Sequence, residues 1–166
     1  LKSVHGMQDD IASTLPSFIF FGMAVGSPLL SFFAAHTNAY YRTIILSAII
    51  MTLGFVYLMF AQASIFSHTV SLFIVGFFCA YQILVIYKAT SYLPTRLVGL
   101  STSCANMVIM TFGYLYHSVI GKTIDHFWDG TVINNAPHYA PETFIKGISV
   151  IPIACMIAAL GFFILH

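Results

Sequence analysis

The chain has 166 residues, of which 59% are hydrophobic and 7% charged, with a formal net charge of +1 and a mean hydropathy of +0.92. Soluble domains carry about 25% charged residues, and no soluble core could hide this much apolar side chain, so the composition is that of a membrane protein. The small net charge excludes the basic excess of a nucleic-acid binder. The three cysteines, Cys79, Cys104 and Cys155, lie in apolar runs without C-x-x-C spacing and indicate neither a disulfide framework nor a zinc site.

The opening LKSVHGMQDD lacks the basic and apolar regions of a signal peptide and reads as a loop, in a chain expected to be a piece of something longer. At 1.5 Å rise per residue, about 20 apolar residues cross the hydrocarbon, and five segments qualify: 11–35, 43–63, 69–93, 99–124 and 143–165. The first carries Ser13, Ser17, Gly22, Gly26 and Ser27. Gly22 and Gly26 lie four apart on one face, the small-xxx-small spacing that lets helices approach closely in lipid. Pro28 deletes a backbone donor and is expected to kink the helix, which turns at His36-Thr37-Asn38.

The second segment, TIILSAIIMTLGFVYLMFA, is a nearly featureless lipid-type run that ends at the polar break Ser64–His68. The third carries Tyr81, Gln82, Tyr87 and Lys88 and stops at Leu93-Pro94, where proline disfavours a helical predecessor. The fourth carries Thr102, Asn106, Thr111, Gly113 and His117. The polar loop 125–141 follows, in which Phe127, Trp128 and Tyr139 suit the headgroup belt. The fifth is again a featureless apolar run. Because polar side chains in hydrocarbon tend to face protein or water, the first, third and fourth segments are expected to be central and the second and fifth peripheral.

Alternating directions sort the loops into two sides. All five acids (Asp9, Asp10, Asp125, Asp129, Glu142) fall on or near one side, with Lys2, Lys122 and Lys146; Arg42, Arg96 and nearby Lys88 fall on the other, which has no acid. The basic count is a tie and acids contribute little to topology; the Arg42 and Arg96 loops, on the side without acids, are placed in the cytoplasm, where the family resemblance described below also puts them.

Asn106 and His117 are eleven residues apart and share a face with Gly113 between them. They read as a stripe lining a substrate path, with His117 able to exchange a proton, or as a packing face. Gln82 lies near the middle of its helix, whereas Lys88, five residues from Leu93, can snorkel to the interface. No acid is embedded in a span, so a proton-coupled mechanism would need His117 or a carboxylate outside these segments. The seven histidines include no H-x-x-x-H pair, and there is no G-x-S-x-G elbow, phosphate loop or helical carboxylate pair. No catalytic residue, metal or cofactor is expected.

Gly26-x-Pro28-Leu29, the short loop and Arg42 resemble the degenerate second copy of the signature loop of major facilitator superfamily transporters, whose fuller form reads roughly G-x-P-L-x-G-x-L-S-D-R-x-G-R-R. Ser31, Ala35, His36, Tyr40 and Tyr41 depart from it, so the charge relay of the full motif is not carried over. The fourth segment, with Gly99, Asn106, Gly113, Gly121 and Asp125, is similar to that family's eleventh helix. The resemblance implies helices eight to twelve of a twelve-helix, all-α polytopic bundle, with eight, ten and eleven lining a cavity.

What the resemblance implies for function is secondary active transport of a small solute by alternating access, with residues 1–166 forming most of the C-terminal bundle. The partners would be the lipid bilayer, a missing seventh helix and a missing N-terminal bundle. The coupling ion, H+ or Na+, stays open, and the short loops suit a bacterial inner membrane. The candidate lining residues are Ser17, Tyr81, Gln82, Lys88, Asn106, Gly113 and His117. Gly22, Gly26, Pro28 and Arg42 form the signature loop and its packing face, with Gly22 and Gly26 expected against a helix of the other bundle. The alternative is a stand-alone five-span subunit with a scaffolding or assembly role.

Overall fold

A computed structural model describes residues 7–61, 64–133, 136, 137 and 139–165. The start of the opening loop, with Lys2, and the expected end of the second segment at Ala63 lie outside the described residues. Hydrocarbon offers no partner to backbone N–H and C=O groups, so a crossing segment must satisfy them within itself as a helix. Five helical spans are long and apolar enough to do so: Asp10–Thr37, Tyr40–Phe60, Ile65–Thr90, Thr95–His126 and Pro141–Ile164. Among the described residues the chain is all-helical apart from a short antiparallel pairing of Val132–Ile133 with Ala136–Pro137, and its five spans are those of an integral multi-pass membrane protein.

Local chemistry sets the ends. The first turn is tighter than expected: His36 and Thr37 are helical, and the chain reverses at Asn38, whose φ of 52° is left-handed and whose N–H donates to the Ala34 and Ala35 carbonyls. The third span starts at Ile65 because the Ser64 hydroxyl caps it, accepting from the Ser67 N–H at 3.3 Å. Ser67 and His68, expected in a polar break, are therefore inside the helix.

Prolines loosen two spans. At Leu15–Pro16 the first span is interrupted, and the N–H groups of Phe18 and Ile19 reach back three residues instead of four, to Leu15 and Pro16, at 3.1 Å each. The helix nevertheless continues through Pro28 from Ser17 to Thr37. In the fifth span, Pro152 lacks the N–H that the Ile148 carbonyl would use, and the helix is interrupted at Ser149. The Ser149 hydroxyl there donates to the Lys146 carbonyl at 2.6 Å. The third span is loosened at Ala80, where ψ is −9° and the Ile83 N–H donates to the Ala80 carbonyl.

The first span packs chiefly on the third. A Cβ added at Gly22 would strike the Phe73 carbonyl oxygen, one at Gly26 the Phe77 carbonyl oxygen, and one at Gly76 the Ile19 carbonyl oxygen. The glycine face thus packs within this chain, correcting the expectation that it meets a helix outside it. Above this seam sits a cluster of Leu30, Ala34, Ile44, Ala80 and Leu84, with Phe162 of the fifth span packed against it.

Burial within this chain does not follow the polarity of the segments. The second span packs against the fifth and third and buries 33% of its apolar window, the largest share of the five, whereas the fourth buries 0% of its own. The second span's buried set, Ile44, Ser47, Ala48, Met51, Thr52 and Met59, includes hydroxyls satisfied on their own helix: Ser47 donates to Thr43 and Thr52 to Ala48, at 2.7 and 2.9 Å. Phenylalanines such as Phe20, Phe21, Phe32, Phe33 and Phe66 are exposed, as lipid-facing side chains are.

Overpacking a tight interface costs roughly 1–3 kcal/mol. Gly26→Ala should therefore lower the thermal unfolding midpoint in detergent. Gly161→Ala, where an added Cβ meets no described atom within 4 Å, should leave the midpoint unchanged or raise it slightly through helix propensity. Equal effects at the two positions would refute the glycine seam.

Candidate functional site

A cleft of about 340 Å³ opens between the third, fourth and fifth spans. Tyr81 lines it from the third, Gly113, Tyr116, His117 and Ile120 from the fourth, and Ile151, Ala154, Cys155 and Ala158 from the fifth. The spacings of three, four and seven residues on the fourth and fifth spans place each set on one helical face. Gly113 is one residue past the centre of the helix Val98–His126, and the lining runs from there toward the C-terminal end of the helix at Ile120. Both loosened points border it: Ala80 immediately precedes Tyr81, and Ser149 lies two residues before Ile151.

Gly113 serves space rather than packing, since a Cβ added there meets no described atom within 4 Å. The lining is aliphatic except for two phenols, an imidazole and a thiol, and among the described residues no Asp or Glu joins it. Such a site, apolar with a few polar groups, has the size and character of a small-molecule pocket. It can hold a compact, largely uncharged solute by burial and orient it through Tyr81, Tyr116 and His117.

Of the seven lining candidates, the structure gathers Tyr81, Gly113 and His117. Gln82 turns toward the first span, its amide Nε2 directed at Met23 Sδ at 3.9 Å. Asn106 is exposed on the fourth span, two turns from Gly113 and outside the cleft, and Ser17 is exposed next to the break at Pro16. Lys88 lies near the end of its helix, with Nζ over the rings of Tyr40, Tyr41 and Tyr92 at 5.8, 5.5 and 5.1 Å to the centroids. Pro28 and Arg42 are exposed. Tyr116 and Cys155 are the polar lining residues that sequence reading did not place in a site. Tyr116 adjoins His117 and was masked by it, while Cys155 sits in a segment whose composition gives no polar signal.

His68 is a further departure. It is fully buried, its Nδ1 lies 3.1 Å from the Ser64 carbonyl oxygen, and its ring sits 6.5 Å from that of Tyr57.

On the acid-bearing side, the loop after the fourth span is folded rather than merely polar. The Tyr139 hydroxyl donates to Asp125 Oδ1 at 3.1 Å, Trp128 Nε1–H donates to the Thr131 carbonyl at 3.3 Å, and Thr131 N–H donates to Asp129 Oδ1 at 3.0 Å. Gly130 takes the φ of +82° that this turn requires. The rings of Trp128 and Tyr139 are 5.9 Å apart. The hydrogen bond to Asp125, with burial and the carboxylate charge behind it, raises the Tyr139 phenol above the usual tyrosine value. At the opposite face, the hydrogen bond from Tyr41, helped by the Lys88 ammonium, lowers that of Tyr92.

No family model, no curated protein and no solved structure matches this chain.

Because the folded state holds the Tyr139 proton more tightly than the unfolded chain, the loop's stabilisation from this bond is complete below about pH 10 and is lost as pH rises through the raised value. Trp128 is the sole tryptophan, so its fluorescence should report loop opening above about pH 10. In Tyr139→Phe that transition should vanish, leaving a flat alkaline limb. An unchanged titration would mean that the bond does not hold the loop.

Proposed function

We propose that this chain is the solute-binding part of a secondary transporter of the major facilitator type, forming most of its C-terminal helical bundle and working by alternating access. The observation that carries this reading is the cleft that begins at the middle of the fourth span and is bordered by two loosened helices. Transporters place their sites at this depth, where discontinuous helices free polar groups for a solute. The bare fourth span fits the same reading. It holds Thr102 and Asn106 four residues apart on one face, and that polar face is left for a second bundle and the water-filled path between the bundles to cover.

In this mechanism Tyr81 and Tyr116 orient the solute by hydrogen bonding, Gly113 leaves it room, and His117 exchanges a proton where the transport is proton-coupled. The polar inventory suits an amino acid, nucleoside, sugar or drug-like molecule. The Arg42 and Arg96 loops face the cytoplasm on this reading, the side on which the family resemblance also puts them. The uncovered fourth span also fits a five-span assembly subunit, which would use that face to dock on a partner and would leave the cleft filled by lipid or protein.

Thiol accessibility separates the two. With Cys79 and Cys104 replaced by alanine, Cys155 is the remaining thiol and reports on the cleft. A membrane-impermeant maleimide should label it in liposomes, and a solute found by an uptake screen should slow the labelling. Tyr81→Phe and His117→Ala should each reduce uptake by about tenfold, as the loss of one hydrogen bond to the solute predicts. Labelling by membrane-permeant reagents alone would sink the transport reading.

A further inference from the structure

The tyrosine cluster around Lys88 is not used by the cleft and has its own chemistry. Three rings from two different places in the chain converge on one ammonium: Tyr40 and Tyr41 open the second span, and Tyr92 follows the third. The Tyr41 and Tyr92 hydroxyls are 2.9 Å apart, and the Tyr40 ring stacks on Tyr87 at 5.3 Å. Ring faces attract the ammonium and fix its position, but they are no substitute for the anionic oxygens that its three N–H donors favour. Among the described residues no carboxylate lies on this side of the molecule, while Arg42 and Arg96 lie exposed there.

Directly beside the cluster is a slot of about 270 Å³ between the first, second and third spans. Ala35, Ile83 and Leu84 give it apolar walls, and Tyr40 and Tyr87, both members of the aromatic cluster, form part of its lining. A fixed cation at the end of a span, sharing the Tyr40 ring with a mostly apolar slot, is complementary to a molecule with a phosphate at one end and a hydrocarbon chain at the other.

We infer that Lys88, Tyr40, Tyr41 and Tyr92 seat the phosphate of an anionic phospholipid, one acyl chain of which enters the slot beside Tyr87. The ammonium supplies the charge, the Tyr41–Tyr92 hydroxyl pair donates the one proton it does not spend between its members, and charge complementarity selects an anionic over a zwitterionic headgroup. This inference stands apart from the transport reading and survives its failure.

The test is native mass spectrometry of the purified chain from micelles doped with equal phosphatidylglycerol and phosphatidylcholine. The wild type should retain phosphatidylglycerol in preference by about fivefold, the factor that one lysine near a membrane surface provides. Lys88→Gln should bring the ratio close to one, and Lys88→Arg, which keeps the charge, should restore it and show that the fold tolerates change at this position. Millimolar inorganic phosphate should not displace the lipid. If it displaces the lipid fully, the seat is for free phosphate and the acyl-chain assignment falls. If Lys88→Gln retains phosphatidylglycerol as the wild type does, the whole inference is overturned.

Discussion

The first and third spans meet backbone to backbone because Gly22, Gly26 and Gly76 remove the atoms that would hold them apart, and the other helices are arranged around that pair. In lipid no hydrophobic force drives one apolar helix against another, so association depends on how closely the surfaces approach and how many dispersion contacts result. Glycines spaced four apart provide the approach. The seam reaches Phe77 and the third span loosens three residues later, at Ala80. The span therefore has a half locked to the first helix, followed by a half that carries Tyr81, Gln82 and Lys88.

The same physics explains what could be read from the sequence. The five spans were legible because hydrocarbon forces the backbone into helices, and so length and hydropathy report them directly. Which helices lie inside was not legible from polarity, because lipid tails and protein interiors are equally apolar and a serine or threonine can satisfy its hydroxyl on its own helix. Ser47 and Thr52 do so while buried, and Thr102 and Thr111 do so while exposed. The readable signal in the second span was the recurrence of small residues, Ser47, Ala48 and Thr52, along one seam. Small side chains mark helix contacts in membranes better than polarity does.

The cleft was legible in part for a related reason. Tyr81, Gly113 and His117 stand out as groups that an inert lipid-facing helix has no need of. Their partners depend on which helices become neighbours, and neither Tyr116 nor Cys155 has any sequence signal for that. Gln82 shows the limit of reasoning from depth alone. One residue further along a helix is about 100° further around it, enough to direct Tyr81 into the cleft and Gln82 toward Met23. Depth was a property of the segment, whereas direction required the packing of the first span against the third.

The ten-residue helix Tyr81–Thr90 links the cleft to the lysine cluster. Tyr81 borders the cleft at one end, and Lys88, seven residues and about 10 Å along the axis, sits among tyrosines at the other. Two of those tyrosines, Tyr40 and Tyr41, belong to the second span, which packs against the fifth span and the locked half of the third. A short helix moves as a rod, and the loosened point at Ala80 is where it would pivot. Any group that displaced Tyr81 would therefore shift Lys88 relative to Tyr40 and Tyr41. The contacts resisting that shift include the packing of Leu84 with Leu30, Ala34 and Ile44, the Tyr40–Tyr87 stack and the Tyr41–Tyr92 hydroxyl pair.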